Sequence, residues 1–593
     1  MRSSIFLGIA ALGSVLPATA ATYHVSPQPL PGIAVELQYR TIAEAARKVA
    51  AGDVVKIHNG TYREAVLIEA KGSAERPIRF EAAQAAHVVV TGADRLDDWR
   101  KEEAPAGENV YSTPWPHRFI AWSETGTHPA DDYHRLIGRA EQVFINGYAL
   151  LQVLSREKLG RGTFYVDHGA KRLFLQASNN AKLGGDQGGN QRVEASVRGT
   201  IWDVRGDHVH TRGLIFRYGA TQAQSALARL GGRGDIIEDC SFEGSNADGA
   251  TFGNEHQVAR RCTFRDNGQD GFTGGAAHDL LVSDCLTRNN NTKNFDRGWG
   301  AGGCKIVMSR GVVIEGSQFL DNRGVGIWFD IGNEETTIRN CLIARNEDAG
   351  IFYEISYGLH AHDNVILENG LLSSAGAWGA NGGIALSSSP RCVIERNLLV
   401  ANKEGFQFRE QPRRTPRIGR AAGQPEEWVW NHDETIQHNV LAWNRDAQAW
   451  GWWAAGDDRH RPRVRRSADP NRAGSAPETD IARPYRSAPD GGAPRDLSLE
   501  SLALRLRGNV YDPEPGQGLF HWGPAWQDHR RFRGLDEVRD ELGLEADSIV
   551  AQVEFADYHR RDLRVPADSP ALRMQAYPRG EVPGVTLGTR PAP

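Results

Sequence analysis

The chain has 593 residues, 40% of them hydrophobic, with 69 Lys and Arg against 74 Asp and Glu for a formal net charge of -5. That length exceeds what a single compact core supports, so several domains or an elongated repeat is required. The near-balanced charge excludes a basic nucleic-acid footprint, and 65 glycines suit many short strands and turns.

The N-terminus reads Met1-Arg2-Ser3-Ser4, an apolar run from Ile5 to Leu16, then Pro17-Ala18-Thr19-Ala20-Ala21. One positive charge, an apolar stretch too short to cross a bilayer and small residues before a cut near Ala20 are the features of a secretory signal peptide. The expectation is a secreted or periplasmic monomer without a membrane span or lipid anchor. After the signal, Thr22 to Val25 reads as a strand and Thr41 to Ala51 as an amphipathic helix, with Ile42, Ala45 and Val49 on one face and Thr41 as its cap. Short strands follow at Asp53 to Ile57, Asn59 to Tyr62 and Pro77 to Phe80. A helix before such strands closes the otherwise open end of a coil.

The expected units are a signal peptide over 1–20, a cap with the first coil turns over 21–94, and a β-rich inserted subdomain over 95–200. A central coil over 201–456, a flexible surface tract over 457–495 and C-terminal turns with a tail over 496–593 complete the chain. Paired strands are expected in the insert at Gln142 to Gly147, Thr163 to Asp167 and Lys171 to Leu175, and a short late helix at Leu535 to Leu542.

Periodicity decides the fold class. Cys262, Cys285, Ser317, Cys341, Asn364, Asn397 and Asn439 each have an asparagine five residues later, at Asn267, Asn290, Asn322, Asn346, Asn369, Asn402 and Asn444. The steps between successive anchors are 23, 32, 24, 23, 33 and 42 residues, so the turn is 23 or 24 residues and the excess is loop. Cys240 starts the series. This is the signature of an all-β, right-handed parallel β-helix, in which like side chains stack on successive turns. The cysteines are then expected to stack as small buried apolar residues, the alternative being a disulfide between neighbours such as Cys240 and Cys262. Loops leave the coil at Asn291 to Gly303, Leu371 to Gly382 and about Glu410 to Asp433.

Two pentapeptides, Gly326-Ile327-Trp328-Phe329-Asp330 and Gly350-Ile351-Phe352-Tyr353-Glu354, begin 24 residues apart and share one pattern. Strand alternation turns Ile327 and Phe329 inward and Trp328 and Asp330 outward, and likewise Phe352 and Glu354. Burying both acids in an apolar stack costs several kcal/mol each, so both are expected to face solvent. The same register aligns Lys305 with Trp328 and Val307 with Asp330, and brings Ser387, Gln407 and Arg409 onto this face. Trp299 and Trp378 sit on loops beside it, whereas Thr251, Gly253, Thr273 and Gly275 of earlier turns make a flat surface.

Carboxyl groups one turn apart stand about 5 Å from each other, the separation of a retaining glycosidase. Like charges this close push one pKa up, giving one ionised and one protonated acid. The candidate set is catalytic Asp330 and Glu354, with Lys305, Trp328, Phe352, Ser387, Gln407, Arg409 and Trp299 toward an oligosaccharide or polysaccharide; no cluster has metal spacing and no cofactor is expected. Two other readings stay open: a polysaccharide lyase or uronate epimerase using Lys305 and Arg409, and a non-catalytic glycan-binding coil.

These motifs resemble the β-xylosidase-type right-handed β-helix glycoside hydrolases, which carry a nucleophilic Asp ending a G-I-W-x-D-like strand and an acid/base Glu one turn later in an F-x-E-like strand. Gln142 to Gly147, Gly162 to Asp167 and Gly60-Thr61-Tyr62-Arg63-Glu64 add to the resemblance. It implies Asp330 as nucleophile and Glu354 as acid/base. The family has a histidine soon after the Glu; here Ile355-Ser356-Tyr357-Gly358 follows, with His360 further on.

Overall fold

The computed structural model describes residues 20–104, 108–119, 139–178, 182–183, 190–371, 381–410, 413–419, 426–453, 503–524 and 530–590. The signal-peptide run, Trp378 and the tract 457–495 lie outside the described residues.

Each turn of the coil contributes one short strand to each of three long sheets, of fourteen, thirteen and thirteen strands, and the result is a right-handed parallel β-helix. The inward residues of every turn stack on their equivalents. Phe216, Phe242 and Phe264, for example, pile up with ring centroids 5.0 and 5.2 Å apart. Cys240, Cys262, Cys285, Cys304, Cys341 and Cys392 are all buried and unbridged.

The asparagine series is a continuous hydrogen-bonded ladder. The Nδ2 of Asn267 donates to Oδ1 of Asn290 at 3.0 Å, and the pattern repeats through Asn322, Asn346, Asn369 and Asn402 to Asn444. A parallel ladder runs Asn364, Asn397, Asn439 and then Asn509. Each amide also donates to a carbonyl of the preceding turn, as Asn346 does to Phe319 O at 3.0 Å. Turns lacking local hydrogen bonds are thereby satisfied from the neighbouring turn.

Both ends of the coil are closed by helices. The first spans Ile42–Ala46, capped by Thr41 in a reciprocal box with Glu44. It is shorter than the Thr41 to Ala51 expected, because Asp53 folds back to accept from Ala50 N and Gly52 adopts φ 93°, turning the chain into strand Val54–Ile57. Ile42, Ala45 and Val49 are nonetheless all buried. The second helix, Leu535–Leu542, seats Leu535, Val538 and Leu542 on the far end of the same core.

From strand Ala93–Arg95, itself an edge of one of them, to strand Val193–Ser196, the chain departs from the coil into two small sheets of five and four strands. Most of their pairings are antiparallel, such as Thr163–Asp167 against Arg172–Gln176. They enclose a separate core that includes Trp99, Trp115, Phe164, Leu173 and Leu175.

Candidate active site

The face that matters is the thirteen-stranded sheet containing Gly302–Val307, Val325–Asp330, Ile351–Glu354, Gly382–Ser387 and Glu404–Glu410. Its register aligns Lys305 with Trp328, Val307 with Asp330, Trp328 with Phe352, Phe329 with Tyr353, Glu354 with Ser387 and Ser387 with Arg409. Asp330 and Glu354 therefore occupy neighbouring rungs, about 4.8 Å apart along the coil axis. Close backbone approach at the start of these strands requires glycine: a Cβ on Gly303 would lie 2.1 Å from the Gly326 carbonyl oxygen.

Alternation works as the sequence implies. Ile327, Phe329, Ile351 and Tyr353 belong to the coil core, whereas Trp328 and Phe352 form an outer cluster with Val325, Ala349 and Ala385. The two acids also leave the core, but they do not face solvent: Asp330 is 7% and Glu354 1% exposed. The expectation of solvated acids is corrected by what lies over them. On one side, Lys305 Nζ stands 3.0 Å from Asp330 Oδ2, 3.7 Å from the centre of the Trp328 ring and 3.0 Å from the Trp299 carbonyl oxygen to which it donates. On the other, a hairpin of Arg413–Thr415 and Glu427–Val429 closes over Glu354. Its Arg413 donates to Glu354 Oε1 at 2.8 Å, and Arg417 beyond the strand donates to Glu334 and lies over Tyr357.

Arg409 binds the same Glu354 oxygen at 3.1 Å, donates to Ser387 Oγ at 2.9 Å and lies over the Phe352 ring. Burial lowers the Arg409 guanidinium to about 10 against the pull of Glu354. Burial also raises the Glu354 carboxyl, helped by the Asp330 charge and opposed by Arg409 and Arg413. Three buried polar atoms here, Asp330 Oδ1, Glu354 Oε2 and Trp328 Nε1, have no hydrogen-bond partner among the described residues. Each such atom costs about 1–3 kcal/mol unless something binds it.

Asp330, Glu354, Lys305, Trp328, Phe352, Ser387 and Arg409 are thus brought together. Gln407 is not: it lies on the Arg409 strand, but its amide turns to Glu404, donating to Oε2 at 2.9 Å. Trp299, at the end of the short helix Arg297–Gly300, contributes its carbonyl to Lys305 and lines a cleft on the far side of that lysine. Arg413 escaped the sequence reading because it sits in what reads as a plain loop. Asp248 and Asp270 in the cleft floor were also missed, although the repeated Asp-Gly one turn apart was a usable signal. Among the described residues, no group of three or more His, Cys, Asp or Glu is arranged to hold a metal ion.

Residues 228–399 match the family described as right handed beta helix region. No curated protein matches the chain in sequence. Among solved structures, the chain is similar to XylC in its complex with xylose, at 17% identity and a TM-score of 0.60, over 86% of each chain. A glycoside hydrolase aligns at 13% identity and a TM-score of 0.48, over 67% of this chain and 94% of that one. A PL6 family polysaccharide lyase from Pseudopedobacter saltans aligns at 12% identity and a TM-score of 0.42, over 89% and 94%. At these identities the likeness is one of fold.

Proposed function

We propose that this chain is a carbohydrate-active enzyme, and specifically a retaining glycoside hydrolase with Asp330 as nucleophile and Glu354 as general acid and base. The observation that carries the reading is the pair itself: two carboxyl groups on neighbouring rungs, each with one oxygen left without a partner. A rung spacing of about 4.8 Å suits direct attack by one acid on a sugar carbon held by the other, and is too short to hold a water between them. The two environments differ as the two roles require. Burial favours the protonated form of Glu354, and Lys305 stands against Asp330 as a counter-charge for a nucleophile. Trp328 and Phe352 pack together beside the pair, buried under Lys305 and Arg409, and hold those two cations in place.

In the first step Asp330 Oδ1 attacks the anomeric carbon as Glu354 Oε2 passes its proton to the departing glycosidic oxygen. In the second, Glu354 takes a proton from water, and that water releases the sugar from Asp330 with the anomeric configuration retained. The lyase alternative needs a base, and the cations of this sheet face are Lys305 and Arg409, with Arg413 of the hairpin held on Glu354. Lys305 is committed to Asp330, the Trp299 carbonyl and the Trp328 face, and Arg409 to Ser387 and Glu354.

The test is a screen of 4-nitrophenyl glycosides and of plant and bacterial polysaccharides, with the anomer of the first product followed by NMR. Asp330→Asn and Glu354→Gln are each expected to lose about 10²- to 10⁴-fold in turnover. A product absorbing near 235 nm, or turnover that survives in both variants, would overturn the proposal.

A further inference from the structure

On the N-terminal side of Lys305 the same sheet face opens into a cleft of about 490 Å³ lined by Asp248, Thr251, Asp270, Thr273, Trp299 and Lys305, among others. That volume lies in the usual range for small-ligand sites, roughly 300–1,000 Å³. Its floor is a second pair of stacked acids. The register aligns Ala250 with Phe272, so Asp248 and Asp270, each two residues earlier, occupy neighbouring rungs. The Asp270 N–H donates to Asp248 Oδ1 at 3.2 Å. On the next rung stands Gly302, aligned with Asp270, where the chain of the following turn packs so closely that a Cβ would lie 2.3 Å from the Val325 carbonyl oxygen. Asp248 is completely buried; its Oδ2 lacks a hydrogen bond of good geometry among the described residues, with the Thr273 hydroxyl close enough to pull the carboxyl down.

We propose that Asp248 and Asp270 form a binding subsite for an uncharged sugar unit, adjoining the unit bound at Asp330 and walled by Trp299. The inference rests on the hydrolase reading for its substrate class and adds to it a second sugar unit and a charge preference. Burial raises both carboxyl groups, Asp248 well above the ordinary range and Asp270 to about 7, with Asp270 also raising Asp248 and Lys305 lowering Asp270. Acids that retain a proton offer one donor beside several acceptors, which is what neighbouring sugar hydroxyls require. A uronate would bury its own negative charge on a floor whose acids, being protonated, carry no charge to neutralise it. The positive charge nearest to it, on Lys305, is already shared with Asp330. An exclusion of anionic units follows.

The subsite is tested by calorimetry on the Asp330→Asn protein, so that binding is read without turnover. The probes are xylotriose, cellotriose, mannotriose, trigalacturonate and the parent monosaccharides. The expected result is that a neutral trisaccharide binds at least about tenfold more tightly than trigalacturonate. Adding Asp270→Asn should weaken that trisaccharide about tenfold and its monosaccharide less than about threefold. Asp248→Asn should act likewise, and Thr273→Val, which keeps side-chain volume, should weaken the trisaccharide in the same direction. Equal or tighter binding of trigalacturonate overturns the subsite, as does unchanged trisaccharide affinity in the variants. Calcium binding by the parent that disappears in Asp270→Asn overturns it in favour of a cation site. Turnover persisting in Asp330→Asn would sink the hydrolytic mechanism, a different outcome from any of these.

Discussion

Arg409 reaches across two rungs of one sheet to place Nη2 3.1 Å from Glu354 Oε1, and both side chains are buried. The contact pulls the Glu354 carboxyl down while burial pushes it up, and Arg413 adds to the downward pull. An acid catalyst works only below its pKa, so the alkaline limb of the pH–rate profile reports this balance. Arg413→Gln removes one downward influence, and the alkaline limb is expected to move to higher pH. Arg409→Met should move it further while also lowering kcat, because the Ser387 and Phe352 contacts go with it. Profiles of kcat/KM for the parent and both variants check this, and a limb displaced to lower pH contradicts it.

The buried acids with raised pKa make a contribution to folding stability that falls as pH rises through the weakly acidic range, opposite in sign to that of His210, which burial lowers to about 4. Burial pushes the Glu404 carboxyl up to about 7, and Asp235 and Asp270 likewise. The unfolded chain loses these protons near pH 4, before the folded chain does. Between about pH 4 and 7 the folded state therefore holds more protons on these groups, and their contribution declines as pH increases. Glu404→Gln keeps the acceptor for Gln407 and removes one titration, so melting temperature measured from pH 4.5 to 7.5 should decline less steeply than in the parent.

The asparagine ladder predicts steep losses from small changes. Asn346 accepts from Asn322 and donates to Asn369 Oδ1 and Phe319 O, with 1% exposure. Asn346→Ala leaves several buried groups unmatched, at a cost of about 3 kcal/mol or more. A drop of several degrees in melting temperature is expected, against almost none for an exposed polar residue such as Gln28→Ala.

The six cysteines should be chemically silent. All are buried, and burial raises the thiols of Cys240, Cys262, Cys304, Cys341 and Cys392. A thiol reagent such as Ellman's should find none in the native protein and six in guanidinium, and reducing agent should leave the melting temperature unchanged.

The coil was legible because its signal is repeated: seven anchors with asparagines five residues on fixed the turn length, the register and the placing of Lys305 beside Trp328. The coil's resumption near Gly508-Asn509-Val510-Tyr511 was legible, but that Asn509 takes up the ladder from Asn439 was not, because 70 residues separate two groups that touch. Local periodicity carries no memory across such an excursion. Outwardness was also legible, but exposure was not. Alternation says which way Asp330 and Glu354 point, whereas their burial comes from Lys305, Arg409 and a hairpin whose sequence has no period. Arg413 belongs to that same class of contact, made by tertiary closure rather than by repeat.

Loop length and rung spacing are independent quantities in this molecule. The chain returns to the next rung whether the step between ladder asparagines is 23 residues, as from Asn267 to Asn290, or 42, as from Asn402 to Asn444. Insertions and deletions at the rim can therefore remodel what surrounds a sugar without altering the interval between Asp330 and Glu354, which hydrogen-bond geometry holds constant. A scaffold of this kind lets recognition drift across a lineage while the reacting pair keeps one gauge.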